Sequence, residues 1–413
     1  VSLVAIGWSG LILVPWGLKF LWATVVDGYY SQKIGRAKSW ILPMQGLSIV
    51  ILIAVAFFEP HNLAQTRSVM TLYGMLFTLS LIGATHDVAT DGLATRLLKA
   101  AMAPKEPLTH DMPAPDSVTQ TPNHHHRQSQ GNAVQVIGYR LGLIVGGGVL
   151  LMLLEQWGWR NSFLAMAALV AMNTVPIVFF KEHTHTSVIP AKKQVQAAKS
   201  GSLKALKTYL SHHYQYFWSS REMRAWLGVL LTFKIADGIS SGMVKPMMVD
   251  VGLNLQQIGF WATILGSGAS VAGAGVATIL MKRLTRFTSL LYFNLAQALT
   301  TGLYGLVAYG FYHQLLTDFL WLYVVNALEH FCASLALIAM LTTIMHYSRP
   351  ANAGSDFTVQ VCLLTVLGGS AHFASGYMAH FLGYQWHFWV SMLIGFVCLA
   401  PIIYWHKLQN NEK

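Results

Sequence analysis

Apolar residues in this chain gather into long, nearly unbroken runs separated by short polar segments. A helix needs about 20 such residues to cross the hydrocarbon of a bilayer. The pattern predicts eleven spans, near 2–26, 39–58, 68–97, 131–153, 160–180, 224–248, 256–281, 286–312, 318–345, 354–382 and 386–405. Several exceed about 20 residues, so they must tilt, kink or project beyond the lipid. The polar separators sort by charge. Lysine and arginine crowd the first, third, fifth, seventh and ninth loops and the tail, whereas the others hold little beyond Arg67 and Arg160. Because basic residues stay on the cytoplasmic side, the odd-numbered loops and the C-terminus are expected inside and Val1 outside. An outside start with an odd span count is the pattern of a twelve-helix protein without its first helix, and the chain opens on Val1.

The spans divide as five and six. Residues 1–180 form the first helical bundle and 181–223 a basic cytoplasmic loop. Residues 224–405 form a six-helix bundle and 406–413 a cytoplasmic tail. The expectation is therefore an all-α polytopic membrane protein of two six-helix bundles, the layout that secondary transporters use around a central site. Within the central loop, SLKALKTYLSHHYQYF fits either a basic amphipathic helix on the membrane surface or a solvated linker. The third loop, rich in Pro, Thr and Asp up to Gln128, is expected to be disordered.

Composition agrees and removes other classes. Hydrophobic residues make up 54% and charged residues only 10%, against about a quarter charged in ordinary globular chains. The net charge of +11 resides in the loops, not on a soluble face, so nucleic acid is not expected as a partner. Cys332, Cys362 and Cys398 lie in apolar runs without metal-ligand spacing, and no disulfide frame or zinc site is expected. His124, His125 and His126 are consecutive in a loop, which makes a poor fixed metal site. There is no GxSxG, HExxH or P-loop pattern, which argues against standard hydrolases and ATP-driven pumps. Neither enzyme activity, cofactor nor metal is expected.

The candidate chemistry lies in charges inside the spans. In THDVATDGLATR, Asp87 and Asp91 are four residues apart and share a helix face. A carboxylate mid-membrane costs about 3 kcal/mol on insertion scales, while a leucine there returns about 0.5. Such acids usually face water and mark an ion or substrate path, although a pair at the membrane edge would only anchor the helix end. Lys19, Arg140, Lys234, Asp237 and Glu329 with His330 also interrupt apolar runs. The cations Lys19, Arg140 and Lys234 suit an anionic substrate; Asp87, Asp91, Asp237 and Glu329 are candidates for proton coupling. Lys234 and Asp237, three residues apart, are equally placed for a structural ion pair. His330 also reads as a packing histidine, and Lys245 as a snorkelling anchor. Gln135, Tyr139 and Trp22 complete the candidate substrate contacts. Gly138, Gly142 and Gly146 repeat every four residues and let helices approach.

KFLWATVVDGYYSQKIGR, THDVATDGLATRLL, GNAVQVIGYRLGLIVGGG and KIADG occur in order, and together they resemble the AmpG-like branch of the major facilitator superfamily. The resemblance runs from Leu18 to the last span. It implies twelve helices, alternating access and proton-coupled import across a bacterial inner membrane by a monomer. It also implies that Lys19, Asp87, Asp91, Arg140, Lys234, Asp237 and Glu329 are the family's intramembrane charges. Thr24 stands where that family usually has proline, and Gly28 where an arginine commonly follows the aspartate, which weakens the first-loop gating motif around Asp27 and Arg36. KPMMVDVGLNLQQIG, EHFCASLALIAM and YSRPANAGSDFTVQ are similar to the RhtX/FptX group of siderophore importers. On that likeness Arg349 and Asp356 sit in a cytoplasmic turn, where a gate ion pair is favoured over substrate contact. The first expectation is thus a proton-driven importer of an anionic ferric siderophore; the alternative is a permease for muropeptides or another acidic sugar or acyl conjugate.

Overall fold

A computed structural model describes residues 14–58, 66–100, 122–145, 150–182, 215–254 and 257–411. Among these the regular structure is helical and no strand occurs. The helices are α1 (Val14–Leu18), α2 (Phe20–Gly28), α3 (Lys38–Ala56), α4 (Thr66–Ala100), α5 (Pro122–Leu143), α6 (Leu150–Phe179) and α7 (Arg221–Phe233). They continue as α8 (Ile235–Asp250), α9 (Gly266–Leu280), α10 (Arg286–Tyr312), α11 (Leu320–Tyr347), α12 (Ala353–Val397) and α13 (Leu399–Asn411). A π-helical stretch, Ile258–Leu265, leads into α9. Among the described residues, seven helical segments are long and apolar enough to cross a membrane.

Breaks within this series have local causes. Gly158 (φ 71°) interrupts α6 and Gly383 (φ 69°) interrupts α12, a backbone conformation that glycine adopts without a Cβ penalty. Each therefore turns the chain between two consecutive spans. Lys19 separates α1 from α2, and Lys234 (φ −96°, ψ 0°) separates α7 from α8, so both lysines sit at interruptions of a helix. The hydroxyls of Ser220 and Thr285 accept the amides of Met223 and Thr288 and fix the starts of α7 and α10.

One boundary differs from expectation. The third loop is expected to be disordered up to Gln128, yet α5 begins at Pro122. Proline is suited to a first helical turn, where its missing N–H would have no partner anyway. The rest of that loop, the tract 183–214 and the tail end fall outside the described residues.

Two compact units emerge, each assembled from separated stretches. The first comprises Val1–Leu97, Gly142–His213 and Tyr347–Cys362; the second comprises Leu98–Leu141, Tyr214–His346 and Leu363–Lys413. In the first, α3 packs along α6, and Ala23, Val26, Ala37, Ile41, Val88 and Ala89 form a small-residue core. In the second, α13 packs against α7 and α10, with Trp226 on Trp405 at 5.4 Å between ring centroids. Glycines set close approaches: a Cβ at Gly238 would overlap the Gly368 carbonyl, and one at Gly273 the Phe331 carbonyl. In lipid, where no hydrophobic force draws helices together, such small residues permit the contact.

Candidate functional site

In the first unit, the turn at Lys19 carries its ammonium onto the Asp87 carboxylate of α4. Lys19 is only 3% exposed. The ring of Trp16 lies 5.5 Å from its Nζ, and the Trp22 indole donates to the Thr85 hydroxyl at 3.1 Å. Asp91, one helical turn beyond Asp87, is buried and also acts on the Lys19 charge. Sequence reasoning placed Lys19 with substrate and Asp87 with the proton; the structure joins them in one pair.

Toward the other end of α2, Asp27 is nearly buried and collects four partners. Arg36 Nη2 lies 3.2 Å away and Arg96 Nη1 3.6 Å. The amide and hydroxyl of Ser355, in the first turn of α12, donate to Asp27 Oδ2 at 2.5 and 2.7 Å. Glu182 accepts the amides of Ala37 and Lys38 at the start of α3 and lies 3.7 Å from Arg96 Nη2. Arg349 closes the set on the fully buried Asp356 through two side-chain bonds and its own amide, all at 2.8 Å. The four gating candidates are thus brought into ion pairs. Arg96, Glu182 and Ser355 were missed. The only sequence signal for Glu182 is an acid directly after a span, beside Lys181.

In the second unit, Lys234 Nζ bonds Asp237 Oδ2 at 2.7 Å, the pairing that the three-residue spacing allowed. The other Asp237 oxygen accepts Gln297 Nε2 from α10 at 2.7 Å. Glu329 of α11 lies near Gln297, and its charged neighbours include Asp237, Lys234 and Arg140. His330 Nδ1 lies 3.9 Å from Glu329 Oε2. Gln297, a neutral amide in a polar-tolerant helix, gave no sign of this role. Behind Asp237 a cavity of about 20 Å³, room for one water, is lined by Asn294, Gln297, Thr301 and Cys398 among others.

The remaining candidates are less engaged. Arg140 makes no ion pair among the described residues, and its Nε is buried without a partner. Gln135 is half-buried and Tyr139 is 64% exposed. The three cysteines are free thiols. No group of three His, Cys, Asp or Glu side chains suited to a metal occurs among the described residues.

Paired carboxylates and cations at or beside breaks in apolar helices are the pattern of a membrane transport protein. The Major Facilitator Superfamily model matches residues 1–370, and the chain belongs to that superfamily. It is 26% identical over 373 residues to the anhydromuropeptide permease of Escherichia coli K12, an alignment covering 89% of this chain and 65% of the permease. It is 21% identical over 402 residues to the putative transporter AmpG 4 of Rickettsia felis, covering 96% and 87%. The crystal structure of the transporter FucP in the outward conformation superposes with a TM-score of 0.61 at 13% identity, covering 99% of this chain and 90% of that one. The proton:xylose symporter XylE gives 0.59 at 14%, covering 97% and 86%. At such identities the structures speak to fold alone. The AmpG-like expectation is supported by these relatives; the narrower likeness to the siderophore importers is not.

Proposed function

We propose that the chain is a proton-coupled permease of the bacterial inner membrane that imports an acidic sugar–peptide conjugate of the muropeptide class by alternating access. The observation that carries this reading is the arrangement of Glu329. It lies in a membrane-spanning helix with no lysine or arginine nitrogen within 4 Å among the described residues, whereas Asp87 and Asp237 each hold a lysine. A carboxylate without a cation is held most easily in lipid as the neutral acid. Glu329 is then the group that gains and loses the proton, with Gln297 and Asp237 as polar neighbours. Lys19 and Lys234 serve as charge partners for the other acids, Asp91 supports the Lys19 pair, and Asp27–Arg36 with Arg349–Asp356 act as gate contacts. The substrate class comes from the named relatives, whose branch the sequence motifs share. It replaces the ferric siderophore that the sequence alone put first.

The test is uptake into proteoliposomes of an anhydromuropeptide and, separately, a ferric siderophore, under an inside-alkaline gradient. Accumulation of the former, abolished by a protonophore, is expected. Glu329→Gln should retain exchange of substrate across the membrane but lose accumulation against a gradient, because a fixed neutral side chain carries no proton. Iron accumulation without muropeptide uptake would restore the siderophore reading. Equal gradient-driven accumulation by Glu329→Gln would remove Glu329 from coupling.

A further inference from the structure

Three intramembrane cations were candidates to hold an anionic substrate, and the structure separates them by what already holds each one. Lys19 is paired with Asp87, and Lys234 with Asp237 at 2.7 Å. Binding a substrate carboxylate at either lysine would form one ion pair by weakening another, with no net gain in neutralised charge. Arg140 differs. No carboxylate oxygen lies within 4 Å of its guanidinium among the described residues, and its Nε is buried without a hydrogen-bond partner. A desolvated guanidinium donor left open is costly unless something else meets it.

The charges around Arg140 are mixed: Glu329 is within its field, and His330 is within the fields of Arg140, Asp237 and Lys245. Lys245 is exposed on α8 and makes no ion pair among the described residues. The His330 ring is seated by packing, since a Cβ at Gly266, where the π-helical stretch passes into α9, would overlap it. These residues come from α5, α8, α9 and α11 of one compact unit. Helix interruptions of the π type recur at functional sites.

Resting on the permease reading above, we infer that Arg140 is the anchor for a carboxylate of the substrate, with Lys245 as an outlying second cation and the Gly266-seated His330 as the wall beside it. A guanidinium presents paired donors that match the two oxygens of a carboxylate, so the site selects a planar anion and not merely a negative charge. Lys245 thereby acquires a part in substrate capture beyond anchoring its helix.

The full chain in proteoliposomes is given an anhydromuropeptide with free carboxylates and the same compound with every carboxylate amidated. The wild type is expected to take up the acid with the lower KM. In Arg140→Gln, KM for the acid should rise about ten- to a hundredfold, the scale of a lost charge-assisted bond, with kcat largely kept and the amide unaffected. Arg140→Lys should recover only part, because a point charge does not reproduce the fork. Lys245→Gln should slow uptake of the acid less, and mainly at low salt. A wild type that takes up acid and amide alike overturns the inference without recourse to any variant. An equal loss of both compounds in Arg140→Gln also overturns it, since that marks a role in helix packing. If the wild type takes up neither compound, the muropeptide reading itself falls, and the inference falls with it.

Discussion

Lys19 is nearly sealed from solvent, and Asp87 is what makes that tolerable. Removing one member of a buried pair leaves an uncompensated charge, whereas removing both leaves none. Lys19→Met and Asp87→Asn should each destabilise the protein by about 3 kcal/mol, the low end of the range for buried pairs, because the Asp87 side chain is 33% exposed. The double variant should recover most of the loss, read as thermal midpoints in detergent. Single variants as stable as the wild type would show that the pair carries no such role. Gly266 allows a cleaner comparison. Gly266→Ala should displace the His330 ring and reduce uptake severalfold, while Gly268→Ala, with nothing within 4 Å of the added Cβ, should match the wild type. At this scale the sequence was legible in kind but not in partner. A charge inside an apolar run announces itself, and the Lys234–Asp237 pair follows from helical spacing. The Lys19–Asp87 pair joins residues 68 apart, and nothing local says which faces of α2 and α4 meet.

The first turn of α12 shows what an element needs from elsewhere. Its opening amides have no partner within the helix, and Asp27 accepts that of Ser355 together with the Ser355 hydroxyl. The chains also come close here, since a Cβ at Gly92 would lie 3.0 Å from the Gly354 Cα. Asp27→Asn keeps an oxygen at this helix start but loses the negative charge that the helix end and both arginines favour, worth about 1 kcal/mol at the helix terminus alone. Backbone amides at 353–358 should then exchange hydrogen about five times faster or more, following that energy, while amides at 320–347 remain unchanged. Unaltered exchange at 353–358 would mean that Asp27 does not hold this helix start. Asp27 and Arg36 were recognisable as a first-loop motif, but α12 as their partner was not, because 328 residues separate Asp27 from Ser355. Span positions were easier: 286–312 matches α10, whose Thr285 cap and apolar run are both local signals. The start of α5 was missed because a polar helix carries no apolar run to read.

For the whole molecule, run length anticipated the kind of element, since the bilayer imposes long apolar helices on any chain that crosses it. The composition of the two compact units was not legible: each joins stretches from both halves of the chain, and such joins depend on tertiary packing. Orientation is the remaining whole-chain property, and the loop charges make a definite prediction about it. Gln314 lies exposed between α10 and α11 and Lys282 lies exposed between α9 and α10, so the loop charges put them on opposite sides of the membrane. The native thiols give little background, because Cys332 and Cys362 are buried and Cys398 is half-buried. Gln314→Cys should therefore react with a membrane-impermeant maleimide in intact cells, and Lys282→Cys only after permeabilisation. The opposite result would turn every loop over and move the Asp27 and Asp356 contacts to the outer face. It would also place Lys245, close to the outer end of α8 in the expected orientation, on the cytoplasmic side. An importer that meets its anion first at Lys245 and then at Arg140 requires the predicted result, so the labelling pattern bears on the path of the substrate as well as on the topology of the chain.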